Sequence, residues 1–108
     1  MLFLIKFVVM GIVEQNMDDI KRLCVLYNVD KMYLFGSVLN SNFNDKSDID
    51  LLVKFKSMEL SNYLDNYIAF KDKLEDLFGR EVDLLEEQTL RNPVLIKSIN
   101  KSKSLIYG

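Results

Sequence analysis

The chain reads Leu34-Phe35-Gly36-Ser37 and then, after a polar loop, Ser47-Asp48-Ile49-Asp50-Leu51-Leu52-Val53, and this stretch decides its fold. It places a Gly-Ser turn at the end of one apolar run and two alternate carboxylates at the start of the next. Because side chains alternate between the two faces of a strand, Asp48 and Asp50 point the same way and the apolar residues point into the opposite layer. Two like charges at one place favour the binding of a divalent cation.

A third carboxylate belongs to a later apolar run. The segment from Glu81 to Leu85 predicts a short strand in which Val82 and Leu84 face the core, so Asp83 emerges on the other face. If this strand lies beside the Asp50 strand, three acids converge. Three acids beside a Gly-Ser turn favour nucleotidyl transfer, in which two divalent ions clamp the attacking and leaving oxygens and the glycine turn holds the phosphates. Each signal taken alone has an ordinary alternative, a turn or a solvated strand edge.

Composition limits the function to a few classes. The 108 residues, 49% hydrophobic and 28% charged, are typical of one domain with one core. A formal net charge of -2 provides no general field for nucleic acid, so we expect no nucleic-acid partner. The absence of histidine excludes His-based zinc sites and Ser-His-Asp triads. The single cysteine, Cys24, lies in an apolar helical pattern and is interpreted as a reduced core thiol.

The first residues are strongly apolar, with Lys6 as the only charge between Met1 and Val13. This segment is too short to span a membrane and lacks the features of a signal peptide, so we expect a cytoplasmic protein without a membrane anchor. Three interpretations stay open: an added strand on the core, a partner-binding segment, or an upstream extension with the true start at Met10 or Met17. We divide the chain into an N-terminal extension, residues 1–15, and a single domain, residues 16–108.

The remaining pattern alternates helices with strands and predicts an α/β (α+β) fold, a small mixed β-sheet with helices packed against it. Asn16 is expected to cap the first helix, Gly79 to end the long helix in the left-handed conformation, and Asn92 to cap the last helix before Pro93. The predicted helices are Asn16 to Tyr27, Met58 to Phe78 and Pro93 to Asn100, and the predicted strands are Lys31 to Phe35, Ile49 to Phe55, Glu81 to Leu85 and Ser104 to Tyr107.

The Phe-Gly-Ser segment, the Ser-Asp-Ile-Asp-Leu-Leu-Val segment and the separate Asp83 strand resemble the DNA polymerase beta superfamily of nucleotidyltransferases. Within it the chain is most similar to the small MNT proteins, the minimal nucleotidyltransferases found beside HEPN-domain proteins as toxin and antitoxin pairs. The resemblance covers about Asn16 to Tyr107.

The resemblance implies a nucleotidyltransferase fold and a metal-dependent enzyme that moves AMP from ATP to a hydroxyl of a HEPN-type toxin. Asp48, Asp50 and Asp83 would hold two Mg²⁺ ions, and Asp83 would also act as base toward the acceptor. Gly36 and Ser37 would bind the nucleotide phosphates. The oligomeric state, the acceptor residue and the nucleotide preference are left open by the sequence.

One departure from the family pattern concerns the residues after the Gly-Ser pair. Members commonly carry arginine and glycine there, whereas this chain has Val38-Leu39-Asn40-Ser41. Lys46 and Lys54 are the candidates to replace the missing positive charge. The departure also motivates an alternative function, a non-catalytic antitoxin-like module that neutralises its partner by occlusion.

Overall fold

The computed structural model describes residues 11–35 and 49–108. It contains three helices, a short 3₁₀ turn and four strands in these ranges, and residues 11–15 are helical as well. In chain order the elements are α1 (Met17–Leu26), β1 (Val29–Phe35), β2 (Ile49–Phe55), α2 (Leu60–Phe78), β3 (Val82–Glu86), the 3₁₀ turn (Glu87–Thr89), α3 (Pro93–Ser102) and β4 (Ser104–Tyr107).

The four strands form one mixed sheet in the order β3-β2-β1-β4. β1 is antiparallel to both β2 and β4, whereas β2 and β3 are parallel. The predicted α/β fold with a mixed sheet is therefore confirmed, and β2 is a central strand that is buried along most of its length. The long connection through α2 supplies the crossover that two parallel strands require.

One face of the sheet is covered by α1 and α2. Alternate residues of the strands, such as Leu51, Val53 and Leu84, pack against Phe70 and Leu74 of α2 in one continuous core. Phe70 is fully buried and lies edge-on to the Phe55 ring, with the ring centroids 5.9 Å apart. Burial of these apolar faces supplies the main driving force for folding.

The other face of the sheet carries a smaller cluster. Leu52 and Phe35 are buried against Ile99 of α3, and Tyr33 and Leu85 pack around them. α3 thus covers one part of this face. The same face carries the even-numbered positions of β2 and the odd-numbered positions of β3, because successive side chains of a strand alternate.

Two of the three predicted helix caps are confirmed. Gly79 ends α2 with φ of 68° and ψ of 26°, the left-handed conformation in which glycine has no steric penalty. The Asn92 side chain accepts hydrogen bonds from the backbone N–H groups of Val94 and Leu95, 2.9 and 3.3 Å away. The helix ends agree with the prediction to within two residues.

The predicted cap at Asn16 is wrong. Its side chain makes no capping bond to α1 and instead donates from Nδ2 to the Ile12 carbonyl, 2.8 Å away. The physical reason is that residues 11–15 are already helical, so Asn16 joins two helical segments and its amide satisfies the carbonyl of the first. Val13 of that first segment is buried in the main core, 1% exposed. The domain boundary at residue 15 stays a prediction.

In the ranges 11–35 and 49–108, every helix is too short or too polar to cross a lipid bilayer.

Candidate active site

Three strand ends meet at one end of the sheet, which we call the acid end. β1 finishes there at Phe35, and the parallel strands β2 and β3 both begin there. The backbone N–H of Ile49 donates to the Glu81 carbonyl, 3.0 Å away, so the pairing of β2 with β3 extends to the first residue of β2. Each of these two strands carries an aspartate as its second residue.

Asp50 and Asp83 are direct neighbours in the sheet. They are paired in the parallel register of β2 and β3, flanked by the pairs Ile49 with Val82 and Leu51 with Leu84. The flanking residues are buried in the main core, so both carboxylates project from the opposite face. Asp50 is half-buried and Asp83 is exposed. Since neighbouring strands lie about 4.8 Å apart, two negative charges share one small region of the surface.

The other predicted site residues, Asp48, Gly36 and Ser37, lie outside the described residues, as does Lys46. The chain nevertheless leaves and re-enters the described region at the acid end: Gly36 is bonded to Phe35, and Phe35 is the sheet partner of Asp50. Of the five predicted site residues the structure thus brings together two, and their roles stay predictions.

β3 is an edge strand, and side chains from other elements hold it in place. Its outward N–H at Val82 donates to Oε2 of Glu75, 3.0 Å away. Its outward carbonyl at Leu84 accepts from the Tyr67 hydroxyl. Burial raises the pKa of Tyr67, while Lys71 lowers it and Asp83 raises it, so this phenol stays a neutral donor. These contacts satisfy edge groups that are otherwise open to another strand and fix the strand that carries Asp83.

Asp50 and Asp83 could supply two carboxylate ligands for a hard divalent cation. Carboxylate oxygens are the ligands that Mg²⁺ prefers, and adjacent like charges gain from a cation between them. Among the described residues no group of three metal-binding side chains occurs, so a third ligand would have to come from elsewhere, as the prediction for Asp48 requires.

A charged groove adjoins Asp83 on the outer side of β3. It has a volume of about 620 Å³ and is lined by Lys71, Glu75, Asp76, Arg80, Glu81, Val82 and Asp83. Arg80 was not among the residues expected from the sequence. The signal that could have found it is its position in the turn between the Gly79 cap and the strand of Asp83. We call this cavity the Arg80 groove.

Lys54 is not placed to replace the missing arginines. It shares a face with Asp50 but lies four residues further along β2, about 13 Å at the usual rise per residue. Its Nζ lies 3.9 Å from Oδ2 of Asp30, and both side chains are roughly 40% exposed. Lys54 therefore belongs to the far end of the sheet.

A parallel strand pair with neighbouring aspartates at the end of a mixed sheet is the arrangement expected of a nucleotidyltransferase. Residues 19–106 match the family model described as the nucleotidyltransferase domain. Because this match covers most of the chain, the protein belongs to that family.

Two archaeal relatives carry a more specific name. A candidate protein adenylyltransferase of Methanocaldococcus jannaschii is 40% identical over 81 residues, which are 75% of this chain and 78% of the relative. The protein adenylyltransferase MntA of Thermococcus cleftensis is 31% identical over 74 residues, 68% of this chain and 72% of the relative.

Solved structures show the same fold. A candidate minimal nucleotidyltransferase superposes with a TM-score of 0.68 at 27% identity, over 85% of this chain and 90% of that chain. A complex of an MNT antitoxin with the tri-AMPylated HEPN toxin of Shewanella oneidensis gives 0.60 at 20% identity, over 88% and 71%. A toxin-antitoxin structure with AMP-PNP gives 0.64 at 22% identity, over 86% and 73%. At these last two identities the likeness concerns the fold alone.

Proposed function

We propose that the protein transfers AMP from ATP to a hydroxyl group of a partner protein. The observation that carries this proposal is the pairing of Asp50 with Asp83 at the acid end, in a chain of the nucleotidyltransferase family. The names of the relatives support protein adenylylation in particular. The structure with AMP-PNP supports ATP as the donor, and the complex with an AMPylated HEPN toxin supports a HEPN-type toxin as the acceptor.

In this proposal the hydroxyl oxygen of the partner attacks the α-phosphorus of ATP. Asp83 takes the hydroxyl proton, the new oxygen–phosphorus bond forms, and the bond to the bridging oxygen breaks so that pyrophosphate leaves. Exposure of Asp83 at the surface suits this role, because the acceptor belongs to another protein and has to reach it from solvent. Gly36 and Ser37 hold the phosphates of the donor through backbone N–H groups and a hydroxyl.

In this proposal two Mg²⁺ ions would be bound by Asp48, Asp50 and Asp83. When bound, the metal would neutralise negative charge on the phosphates and on the attacking and leaving oxygens. The chain's own contribution is to keep Asp50 and Asp83 in adjacent register, which the packing of the flanking core residues achieves.

The test uses the protein together with the HEPN-type toxin that co-purifies with it. The two proteins are incubated with magnesium and ATP labelled in the α-phosphate, and label on the toxin is measured by gel and located by mass spectrometry. We expect label on the toxin with the wild-type chain and none with Asp48→Asn plus Asp50→Asn. Asp65→Asn, which removes an exposed carboxylate of α2, is the matched control and should transfer label normally.

The occlusion alternative rests on the segment Val38-Leu39-Asn40-Ser41, which lacks the usual arginine. It predicts the opposite pattern in the same experiment. If the wild-type chain moves no label but both it and the Asp48/Asp50 double variant still neutralise the toxin in cells, the transfer reaction is refuted and neutralisation by binding is supported.

A further inference from the structure

We propose that Arg80 is a phosphate-binding catalytic residue that contacts the phosphoryl group during its transfer. The proposal rests on the proposed AMP transfer and adds to it a residue that the sequence pattern did not indicate. Its ligand is a phosphate oxygen of the nucleotide at the acid end of the sheet.

The first observation is the shortage of positive charge near the acids. The segment after the Gly-Ser pair, Val38 to Asn44, contains no basic residue. Lys54 is at the far end of its strand and close to Asp30. Lys46 lies outside the described residues, so among the described residues the cation for a triphosphate at Asp50 and Asp83 has to come from beyond these two segments.

The second observation concerns the hydrogen-bond partners of the three arginine side chains, which all lie in the described ranges. Arg22 donates from Nη1 to Asp19, 2.9 Å away. Arg91 donates to the carbonyls of Gln88 and Leu90, at 2.8 and 3.0 Å. Nη1 of Arg80, in contrast, is buried and has no hydrogen-bond partner among the residues that the structure describes. Of the three arginines, Arg80 alone has such a buried, unsatisfied Nη1.

A guanidinium with a buried N–H group that lacks an acceptor favours the binding of an anion. The guanidinium keeps its charge at every physiological pH, and a buried donor without an acceptor is unfavourable until a ligand supplies one. Phosphate oxygens match the planar fork of the guanidinium and form short, charge-assisted hydrogen bonds with it. No ion pair between Arg80 and Glu75, Asp76 or Glu81 of the groove occurs among the described residues.

The position of Arg80 determines which phosphate group of the nucleotide it contacts. The described part of β1 ends at Phe35 on one side of Asp50, and Arg80 lies beside Asp83 on the other side, because β2 separates β1 from β3. In an in-line displacement the leaving group and the acceptor are on opposite sides of the phosphorus. If pyrophosphate leaves toward the end of β1, Arg80 faces the transferred phosphoryl group from the acceptor side.

The reaction places negative charge at this point. The acceptor oxygen bonds to the α-phosphorus, the bond to the bridging oxygen breaks with its electron pair going to pyrophosphate, and the hydroxyl proton passes to Asp83. Negative charge on the non-bridging oxygens of the α-phosphate increases as the acceptor oxygen adds to the phosphorus, and a guanidinium already held beside them stabilises this transition state without reorganisation. Arg80 therefore acts mainly on the chemical step.

The experiment compares Arg80→Ala and Arg80→Lys with Arg91→Ala, which removes an exposed arginine whose partners are carbonyls of its own turn. Three quantities are measured for each: the kcat of AMP transfer to the toxin, the Kd of a non-hydrolysable ATP analogue by calorimetry, and the melting temperature. For Arg80→Ala we expect kcat to fall by about 10² to 10³-fold and Kd to rise by about tenfold, with an intermediate kcat for Arg80→Lys. Arg91→Ala should match the wild type in kcat and Kd.

Two results would overturn the assignment. One is an Arg80→Ala variant that stays within about threefold of wild type in both kcat and Kd. The other is equal loss of melting temperature and activity in both Arg80 variants, which indicates a structural role. A wild-type chain that moves no label refutes the proposed function instead; in that case an analogue affinity unchanged in Arg80→Ala overturns the phosphate site as well, and a weakened one supports it.

Discussion

The adjacency of Asp50 and Asp83 predicts that Asp83→Asn changes the stability of the fold in opposite directions with and without magnesium nucleotide. Two unit charges about 5 Å apart repel by about 0.8 kcal/mol in water and about 3 kcal/mol at an effective dielectric constant of 20. Because Asp83 is exposed and Asp50 half-buried, we expect a value near the lower end, about 1 kcal/mol. Asparagine keeps the shape of the side chain and one carbonyl acceptor, and the value of about 1 kcal/mol is the relief of repulsion from Asp50 alone.

Without metal, then, Asp83→Asn should unfold at a temperature about 4 °C higher than the wild type, the shift that 1 kcal/mol produces in a domain of this size. With magnesium and a non-hydrolysable ATP analogue at 100 times their Kd, the wild type should gain about 2.7 kcal/mol, because the ligand binds only the folded state. The variant lacks one ligand carboxylate and should lose most of that gain. The order of the two melting temperatures therefore reverses when ligand is added.

Scanning calorimetry of both proteins, first in EDTA and then with ligand, measures the reversal directly. Asp65→Asn controls for the removal of an exposed carboxylate elsewhere and should behave as the wild type in both buffers. If Asp83→Asn melts below the wild type in EDTA, repulsion from Asp50 does not dominate at this position. If it gains as much from the ligand as the wild type does, the two carboxylates do not share a cation.

Three further predictions concern buried groups and a cap. Burial raises the pKa of Glu86 above its ordinary value of 4.5, and hydrogen bonds from the N–H groups of Gln88 and Thr89 offset this only in part. The free energy of unfolding should therefore fall as pH rises from about 4.5 through the raised pKa. Glu86→Gln should remove this pH dependence in urea titrations, and an unchanged pH dependence would assign it to another group. Burial raises the pKa of Cys24 to about 12, so a thiol reagent at pH 8 should modify it only as fast as the protein unfolds, and rapid reaction in native buffer would contradict this. Asn92→Ala should cost about 1 kcal/mol of unfolding free energy, because two backbone N–H groups of α3 lose their acceptor, whereas Asn92→Asp should retain the wild-type value.

Local signals in the sequence predict much of this fold. The glycine at position 79 and the Asn92-Pro93 pair end and begin helices where expected, since each acts through the backbone of its own turn. Strand alternation also predicts that Asp83 leaves the core face, because the burial of Val82 and Leu84 leaves no other direction for it.

Other features depend on contacts that local patterns do not report. The cap expected at Asn16 is absent because the helical residues before it change its neighbours. The strand order β3-β2-β1-β4 depends on pairing between strands that are distant in the chain, and the sequence pattern predicts only that the sheet is mixed. The sequence does not distinguish Arg80, because an arginine after a helix is common. The structure distinguishes it, because its buried Nη1 has no hydrogen-bond partner among the described residues.

The geometry of the candidate site depends on the core beneath it. Val82 and Leu84 are 2% and 3% exposed, and they pair in register with Ile49 and Leu51 of β2. A slip of one residue between these strands would turn Asp83 toward the apolar layer and bring Val82 and Leu84 into water, at a cost that no contact at the surface could offset. The apolar residues of β3 therefore specify where its carboxylate lies. This explains how an exposed aspartate on an edge strand can hold a constant position beside Asp50, and why enlarging Val82 or Leu84 should impair transfer even though neither side chain reaches the nucleotide.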